Sequence, residues 1–264
     1  MPFQQQVFWI TGASSGIGEA LAYALHRQGA RLILSSRRTG ELERVRANCK
    51  GDASRVKILP LDLADTDSHS ALVGKAVTLF GRIDTLVNNG GISQRGAAHE
   101  TELAVLRQVM EINFFGTVNL TRELLPHMME RKSGHIVVIS SVMGKFGTRD
   151  RAAYTASKHA IQGWFDCLRQ EAAEFSIDVS LICPGYVRTN VTINALRADG
   201  SRLGKMGRGQ EEGMLPEKFV QKLLPALKKR KREVYIGGKE VAAVYLKRWF
   251  PGLLERVLRR VRVT

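Results

Sequence analysis

The residues of this sequence best suited to chemistry are a tyrosine and a lysine four positions apart, Tyr154 and Lys158, at the start of a helical pattern. Residues i and i+4 lie on one face of a helix, so the phenol and the ammonium group are expected to be neighbours. A phenol has an unperturbed pKa of about 10, and a cation held beside it stabilises the phenolate and lowers that pKa. Tyr154 is therefore a candidate to exchange a proton with a carbonyl or an alcohol.

A serine hydroxyl upstream belongs to the same hypothesis. Ser141 follows the apolar run at residues 136–139, which is typical of a buried strand. Open α/β sheets bind ligands at the carboxyl ends of their strands, so this strand would deliver the hydroxyl to that edge. A tyrosine and a lysine at this spacing also occur by chance, as a surface lysine packed along an aromatic ring. The other strand ends of the chain decide between these interpretations.

The first strand end is rich in glycine. An apolar run at residues 7–10 is followed by Thr11-Gly12-Ala13-Ser14-Ser15-Gly16-Ile17-Gly18 and then by a helical pattern that stops at Gly29. Glycines let backbone N–H groups approach a phosphate, and the helix N-terminus adds partial positive charge. We expect this turn to hold the pyrophosphate of a dinucleotide, although a tight strand-to-helix turn without a ligand needs glycine for steric reasons too.

The second strand end indicates which dinucleotide is bound. Residues 31–34 form a strand pattern, and Ser36, Arg37 and Arg38 follow it. An acidic residue at this place would accept the ribose 2′-hydroxyl of NAD(H), whereas here an arginine is available to pair with a 2′-phosphate. The sequence therefore predicts NADP(H) as the cofactor, with an exposed basic turn as the alternative.

The remaining strand ends supply further candidates for the cofactor site. Strand patterns at residues 56–61, 83–87, 179–182 and 234–236 alternate with helical patterns, which predicts an α/β fold, a single doubly wound domain with a parallel sheet. A long helical pattern at about 102–131 contains Asn113, which either faces solvent or turns inward to hold a water. The candidates at these ends are Asp62, Leu63, Asn88, Asn89, Gly90, Pro184, Gly185, Val187 and Thr189.

Length and composition are those of one intracellular domain. The chain has 264 residues and three cysteines without metal-ligand spacing, so we expect a reduced protein without a metal. It has no leader pattern and no apolar run of spanning length, so we expect a cytoplasmic location. The net charge of +15 suits an anionic cofactor, an anionic membrane or nucleic acid, but no nucleic-acid-binding motif is present.

The C-terminal part divides into three segments. We expect the catalytic domain to cover residues 1–237, with a mobile substrate lid at about 190–213, and a helical tail to cover residues 238–264. The tail is amphipathic and basic: apolar residues recur at helical spacing up to Val261, interleaved with arginines up to Arg262. It either packs its apolar stripe on protein, as a pocket wall or subunit contact, or lies on an anionic membrane surface.

Taken together, these motifs resemble the classical short-chain dehydrogenase/reductase family. The resemblance rests on Thr11-Gly12-x3-Gly16-x-Gly18, Asn88-Asn89-x-Gly91, Ser141, Tyr154-x3-Lys158 and Pro184-Gly185, in this order. The later chain is similar to the subgroup typified by dehydrogenase/reductase family member 7 and its 7B relative. One departure is Gly90, where the family usually has alanine.

The resemblance implies a role for each matching position. Tyr154 would be the general acid/base, Lys158 would lower its pKa and bind the nicotinamide ribose, and Ser141 would hydrogen-bond the substrate oxygen. Asn113 would hold the water of a proton relay. The family also implies a seven-stranded sheet, and homodimers or homotetramers built on the helices that carry Asn113 and Tyr154. Cofactor-contacting positions of the family are matched by Gly12, Ser14, Ile17, Arg37, Asp62, Asn88 and Thr189.

The function predicted from the sequence is NADPH-dependent interconversion of a small-molecule carbonyl, a ketone or aldehyde, and its alcohol. A steroid-, retinoid- or lipid-like substrate would suit a tail that contacts a membrane. One alternative is a catalytically silent NADP(H)-binding protein that engages a membrane or partner through its basic surface. Another keeps the fold but has sugar-nucleotide epimerase or dehydratase chemistry.

Overall fold

A computed structural model describes residues 3–260. Within them, seven strands form one parallel sheet in the order β3-β2-β1-β4-β5-β6-β7, which confirms the predicted fold class. The strands are β1 (Val7–Thr11), β2 (Arg31–Ser35), β3 (Val56–Ile58), β4 (Thr85–Asn88), β5 (Gly134–Ile139), β6 (Ile177–Pro184) and β7 (Glu233–Ile236).

The strand order reverses next to β1, and this reversal creates the crevice of the fold. The chain moves outward from β1 through β2 to β3 and then returns to form β4 on the other side of β1. The loops after β1 and β4 leave the sheet in opposite directions, so a crevice opens between them at the carboxyl edge. Thr11 ends β1 and Asn88 ends β4, which brings the two predicted cofactor loops together.

Helices cover both faces of the sheet. One face packs against α1 (Gly16–Arg27), α2 (Thr39–Asn48) and α8 (Pro216–Lys228), and the opposite face packs against α3 (His69–Phe80), α5 (Thr117–Glu130) and α6 (Ala152–Glu171). Leu21 and Phe219 are fully buried on the first face, and Phe165 is fully buried on the second. Because both faces are covered, the strands are continuous apolar runs, which is why they were visible in the sequence.

Two predicted elements differ from the structure. The third strand was predicted to reach residue 61, but the regular strand ends at Ile58, although the Leu59 and Leu61 N–H groups still donate to the carbonyls of Leu34 and Ser36 at 3.0 and 3.2 Å. The predicted helix at 102–131 is divided into α4 (Leu103–Met110) and α5 by a π-helical turn at Glu111–Gly116. Gly116 lies where this turn meets residue Leu63, and an added Cβ there would overlap the Leu63 backbone.

The C-terminal residues fold back over the sheet edge. After the short helix α7 (Arg208–Glu211), α8 and β7, the chain forms α9 (Ala242–Trp249) and α10 (Pro251–Arg260). Val244 of α9 and Leu254 of α10 are buried against Val142 and Phe146, which follow β5. Part of the tail's apolar stripe therefore packs on the chain's own core. The predicted helical positions Val261 and Arg262 lie outside the described residues.

Candidate active site

A cavity of about 1190 Å³ opens at the carboxyl edge of the sheet. Its walls come from the ends of β1, β2, β4, β5 and β6, from the start of α6 and from α9 and α10. Nineteen of the residues predicted for catalysis or cofactor binding line this one cavity: Gly12, Ser14, Ser15, Gly16, Ile17, Ser36, Arg37, Arg38, Asp62, Leu63, Asn89, Gly90, Ser141, Tyr154, Lys158, Pro184, Gly185, Val187 and Thr189.

The tyrosine, lysine and serine meet at the centre of this cavity. Tyr154 and Lys158 occupy successive turns of α6, and the Lys158 Nζ lies 5.8 Å from the centre of the Tyr154 ring. The ammonium group donates a hydrogen bond to the Ile139 carbonyl at 3.1 Å, which fixes it at the end of β5. The Ser141 hydroxyl accepts from the Met143 N–H at 3.1 Å and lines the same cavity as the Tyr154 phenol. The predicted shared face of the helix is therefore present.

The electrostatics of this centre differ from the expectation. Burial raises the pKa of the Tyr154 phenol above its ordinary value, and the Ser141 hydroxyl and the nearby Arg151 charge reduce that rise without reversing it. Burial also lowers the pKa of the Lys158 ammonium to about 8. The lowered phenol pKa predicted from the sequence is wrong for this structure, because loss of hydration outweighs an ammonium that points to a backbone carbonyl.

A second cation beside the phenol was missed by sequence reasoning. Arg151 precedes α6, lines the cavity and is 6% exposed. Its guanidinium carbon lies 5.9 Å from the centre of the Tyr154 ring, almost the same distance as Lys158, and its Nη1 donates to the Ser93 Oγ at 2.7 Å. Burial lowers the pKa of Arg151 to about 10, which leaves it charged near neutrality. An arginine three residues before Tyr154 lies nearly one helical turn away, and this spacing was the available signal.

The glycine turn after β1 is shaped for close approach of a ligand. Gly12 has φ of +63°, and an added Cβ would lie 2.8 Å from the Gly90 Cα. Gly16 has φ of +60°, and an added Cβ would lie 2.9 Å from the Thr189 Cγ2. Glycine is required at both positions by conformation and by space. The N-terminus of α1 faces the same cavity and adds partial positive charge.

The two arginines after β2 extend to opposite sides of the cavity end. The Arg38 Nη2 donates to the Ser14 Oγ at 3.0 Å and to the Ser15 Oγ at 3.2 Å, so this guanidinium lies against the glycine turn. The Arg37 Nη1 lies 4.0 Å from the Asp62 Oδ2, and both side chains are largely solvent-exposed. Ser36 lies between the arginines and β2, and its hydroxyl accepts from the Arg38 N–H. The turn presents two guanidinium groups and a hydroxyl.

The two asparagines after β4 face different surroundings. The Asn89 Nδ2 donates to the carbonyls of Thr11 and Gly12 at 3.0 and 3.1 Å, which holds the β1 and β4 loops together in the cavity wall. The Asn88 Nδ2 instead donates to the Thr121 Oγ1 at 2.9 Å in α5. Asn88 does not line the cavity, and Gly18 likewise lies behind the turn, packed against the backbone of Gly12.

Asn113 is fully buried on the π-helical turn and does not line the cavity. Its Oδ1 accepts from the Ile92 N–H at 2.8 Å, and its Nδ2 donates to the Ile92 carbonyl and to the Ser157 Oγ, both at 2.9 Å. The expected solvent-facing alternative is therefore wrong. The amide connects the segment after β4 to α6, in which the Ser157 hydroxyl also donates to the Tyr154 carbonyl at 2.7 Å.

The predicted lid and the tail both contribute to the cavity wall. The segment at residues 190–213, expected to be a lid, contributes apolar and polar side chains, namely Asn190, Val191, Thr192, Asn194, Leu196, Arg202 and Gln210. Leu246, Leu254, Val257 and Leu258 of α9 and α10 also line the cavity. The tail therefore forms a wall of the pocket, which was one of the alternatives from the sequence.

Glu240 connects the tail to the loop after β6. Its Oε1 accepts from the Tyr186 N–H at 2.8 Å and from the Gly238 N–H at 3.0 Å. An added Cβ at Gly185 would overlap the same carboxylate, so glycine is needed for this contact. The loop that begins with Pro184-Gly185 is thereby fixed against the cavity. Sequence reasoning did not identify this residue, because its partner lies more than fifty positions away.

Comparison with known proteins places the same motifs in a family context. A model of the short chain dehydrogenase family matches residues 6–199. A Drosophila melanogaster protein named dehydrogenase/reductase SDR family protein 7-like is 43% identical over 253 residues, which cover 94% of this chain and 78% of the relative. A Mus musculus protein named dehydrogenase/reductase SDR family member 7B is 42% identical over 254 residues, which cover 94% and 79%. These similarities confirm the resemblance inferred from the motifs.

Solved structures show the same fold. A short-chain dehydrogenase from Streptomyces avermitilis has a TM-score of 0.79 with 31% sequence identity, and the match covers 99% of this chain and all of the other. A metagenomic short-chain oxidoreductase, solved in complex with NADP, has a TM-score of 0.72 with 29% identity, over 89% and 98% of the two chains.

Proposed function

This chain belongs to the short-chain dehydrogenase family, and on that premise we propose that it is an NADP(H)-dependent oxidoreductase that interconverts a ketone or aldehyde and an alcohol. The observation that carries the proposal is the position of Tyr154, Lys158 and Ser141 in the same cavity as the glycine turn. A silent binding protein would not need a phenol, an ammonium group and a hydroxyl together at that place.

The residues of the cavity fit a dinucleotide. Gly12 and Gly16 leave a cradle that side chains would fill, and the N-terminus of α1 favours a pyrophosphate there. A nicotinamide cofactor is supported by the family and by the NADP-bound relative. We assign NADP(H) in preference to NAD(H), because Arg37, Arg38 and Ser36 would hold a 2′-phosphate, and Asp62 would contact the adenine.

In the proposed reaction the bound cofactor supplies or accepts the hydride. The Ser141 hydroxyl would hydrogen-bond the substrate oxygen, and the Tyr154 phenol would give that oxygen a proton in reduction or take it in oxidation. Lys158, fixed by the Ile139 carbonyl, would bind the nicotinamide ribose and stabilise the phenolate. Asn113 would keep α6 in register with the segment after β4, and its proposed water relay remains a prediction.

The substrate is proposed to be apolar. Phe146, Leu246, Leu254 and Leu258 contribute to the cavity wall at the end away from the arginine turn, which suits a steroid-, retinoid- or lipid-like carbonyl. The segment at 190–213 would act as the lid over this end.

A homodimer or homotetramer is proposed to form on α4 and the π-helical turn. Leu103, Leu106 and Phe115 are exposed there by 58%, 37% and 50%. Exposed apolar groups of this kind on one helical segment are typical of a subunit interface.

The first experiment is a titration of the protein with NADPH and NADH, followed by cofactor fluorescence, together with NADPH oxidation in the presence of aldehydes and ketones. Wild-type protein should bind NADPH more tightly, and Arg37→Asp and Arg38→Asp should each reverse or abolish that preference. Arg27→Asp, the same charge change at an exposed site outside the cavity, is the control. Absence of binding to both nucleotides would refute the cofactor assignment.

The catalytic assignment needs a separate variant. Tyr154→Phe should bind NADPH normally but lose turnover by a factor of at least 10² to 10⁴, the usual contribution of a positioned acid. Tyr23→Phe, in α1 and outside the cavity wall, is the matched control. Retained turnover in Tyr154→Phe would overturn the mechanism, and NADPH binding without turnover in wild type on the whole carbonyl panel would favour the silent binding protein.

A further inference from the structure

Exposed apolar side chains are concentrated in the C-terminal helices. Among the described residues, ten large hydrophobic side chains are exposed, and five of them lie between residues 245 and 257. Trp249 is 73% exposed and Phe250, at the joint between α9 and α10, is 64% exposed. Single exposed apolar residues are ordinary, but a contiguous group of this kind marks a contact surface. The group consists of Tyr245, Trp249, Phe250, Leu253 and Val257.

The exposed residues form an outer face on each helix. Tyr245 and Trp249 are four residues apart in α9, and Leu253 and Val257 are four residues apart in α10, so each pair shares a helix face. The buried apolar residues of the same helices, Val244 and Leu254, point instead to Val142 and Phe146. Packing on the core therefore accounts for one apolar face and leaves the second unexplained.

The segment that carries the outer face is strongly basic. Residues 239–260 contain six cations and two carboxylates. Both carboxylates are engaged, because Glu240 accepts backbone N–H groups and Glu255 pairs with Arg259 at 2.6 Å. The six cations are Lys239, Lys247, Arg248, Arg256, Arg259 and Arg260.

We propose that the outer face of α9 and α10, defined by Tyr245, Trp249, Phe250, Leu253 and Val257, docks on an anionic lipid bilayer. Aromatic and aliphatic side chains bordered by arginine and lysine match the boundary between acyl chains and anionic headgroups. A second copy of this chain fits less well, because two such faces would bring twelve cations together against four engaged carboxylates. The lipid surface supplies both the apolar phase and the opposite charge.

Docking in this orientation has a consequence for the active site. Leu246, Leu254, Val257 and Leu258 belong to the same two helices and line the cavity. Val257 contributes to both surfaces, being 41% exposed and also part of the cavity wall. The bilayer would thus lie at the rim of the pocket, and an apolar carbonyl dissolved in lipid would reach Tyr154 without crossing water. This last step rests on the proposed oxidoreductase function.

The test is co-sedimentation of the full-length protein with vesicles of phosphatidylcholine alone and with vesicles in which about a quarter of the lipid is phosphatidylglycerol. Wild-type protein should bind the anionic vesicles at least tenfold more tightly, and the binding should weaken as salt is raised. Trp249→Ser combined with Phe250→Ser, and Arg256→Gln combined with Arg260→Gln, should each reduce the binding about tenfold or more.

Two matched controls make the same kinds of substitution at exposed positions outside α9 and α10. Leu215→Ser removes an exposed apolar group far from the helices in sequence, and Lys228→Gln with Lys229→Gln removes two exposed cations. Both should bind anionic vesicles as wild type does. All variants should keep the wild-type unfolding temperature, since none of the substituted residues is buried. They should also reduce a short water-soluble aldehyde at the wild-type rate, since none of these residues lines the cavity.

Several results would overturn the proposal. Equal binding to both vesicle types would refute the role of charge, and absence of binding would refute docking itself. The face would instead be assigned to a second copy of this chain by two results together. The wild type would not bind vesicles, and light scattering would show a dimer that is lost when Trp249 and Phe250 are replaced. Vesicle binding by a wild type that reduces no carbonyl would leave the docking surface intact and refute the proposed function instead.

Discussion

Replacing Asn113 with alanine should destabilise the protein and loosen the active site. The change removes both donors and the acceptor of the amide, and leaves the N–H and carbonyl of Ile92 without these partners. An unsatisfied buried polar group costs about 1–3 kcal/mol. Ile92 is only half-buried, so water can compensate in part, and the expected loss is about 2–3 kcal/mol for the two groups together. Ser157 keeps its bond to the Tyr154 carbonyl and adds little.

Urea unfolding measures this loss, and a thermal scan should show a fall of about 4–12 °C in the unfolding temperature. The matched control is Asn119→Ala in α5, where a half-buried amide donates to the Thr66 carbonyl at 3.0 Å. Because water can replace it, the control should lose less than about 1 kcal/mol. Turnover per folded molecule should fall only in Asn113→Ala, since only this amide connects to α6. Equal losses in the two variants would refute the assignment of a buried structural role to Asn113.

Three further predictions follow from burial. Burial lowers the pKa of His135 to about 4, so its contribution to stability is complete above the unfolded pKa of about 6.5 and is lost as pH falls toward 4. In urea unfolding at several pH values, the wild type should therefore lose about 3 kcal/mol of stability over this range that His135→Gln does not lose. Burial lowers the pKa of Lys158 to about 8, so the free energy of unfolding that depends on this group rises between pH 8 and its unfolded pKa of about 10.4. Lys158→Met should therefore be more stable than wild type at pH 7, and the difference in free energy of unfolding should shrink as pH rises. A difference that grows with pH would contradict the assignment. Burial raises the pKa of the thiols of Cys49 and Cys183 to about 11 and 12, whereas Cys167 is exposed. A thiol reagent should therefore modify one cysteine in the native protein and three in denaturant. Rapid labelling of all three in the native protein would contradict this prediction.

The fold was predictable because its strands are buried on both faces. Such strands are largely apolar runs, and each is followed within two residues by glycine, asparagine, proline or serine, which marks the carboxyl edge in the sequence. The residues at which helices and strands begin and end were less predictable. The π-helical turn at Glu111–Gly116 leaves no mark in the apolar periodicity, because it inserts only part of a turn.

The site was predictable wherever the spacing of residue types indicates one physical use. Tyr154 and Lys158, four residues apart on α6, and the glycine turn after β1 are of this kind. Asn88 was not, because successive side chains of a strand point to opposite faces, and only Asn89 of the pair reaches the cavity. Arg151 and Glu240 were missed because their partners, Ser93 and the Tyr186 N–H, become neighbours only when distant segments pack together.

Burial makes the Tyr154 phenol a weaker acid, because it raises the pKa away from the working pH at which a positioned acid is most effective. In the proposed reduction the phenol would hold its proton at neutral pH and give it to the substrate oxygen. The same phenol must then carry negative charge after it has given the proton away. Arg151 and Lys158, at nearly equal distances from the ring, stabilise that charge when it forms. In the proposed reduction, the two cations would therefore offset part of the cost that burial adds to forming the phenolate, and this is the contribution that the reaction requires of them.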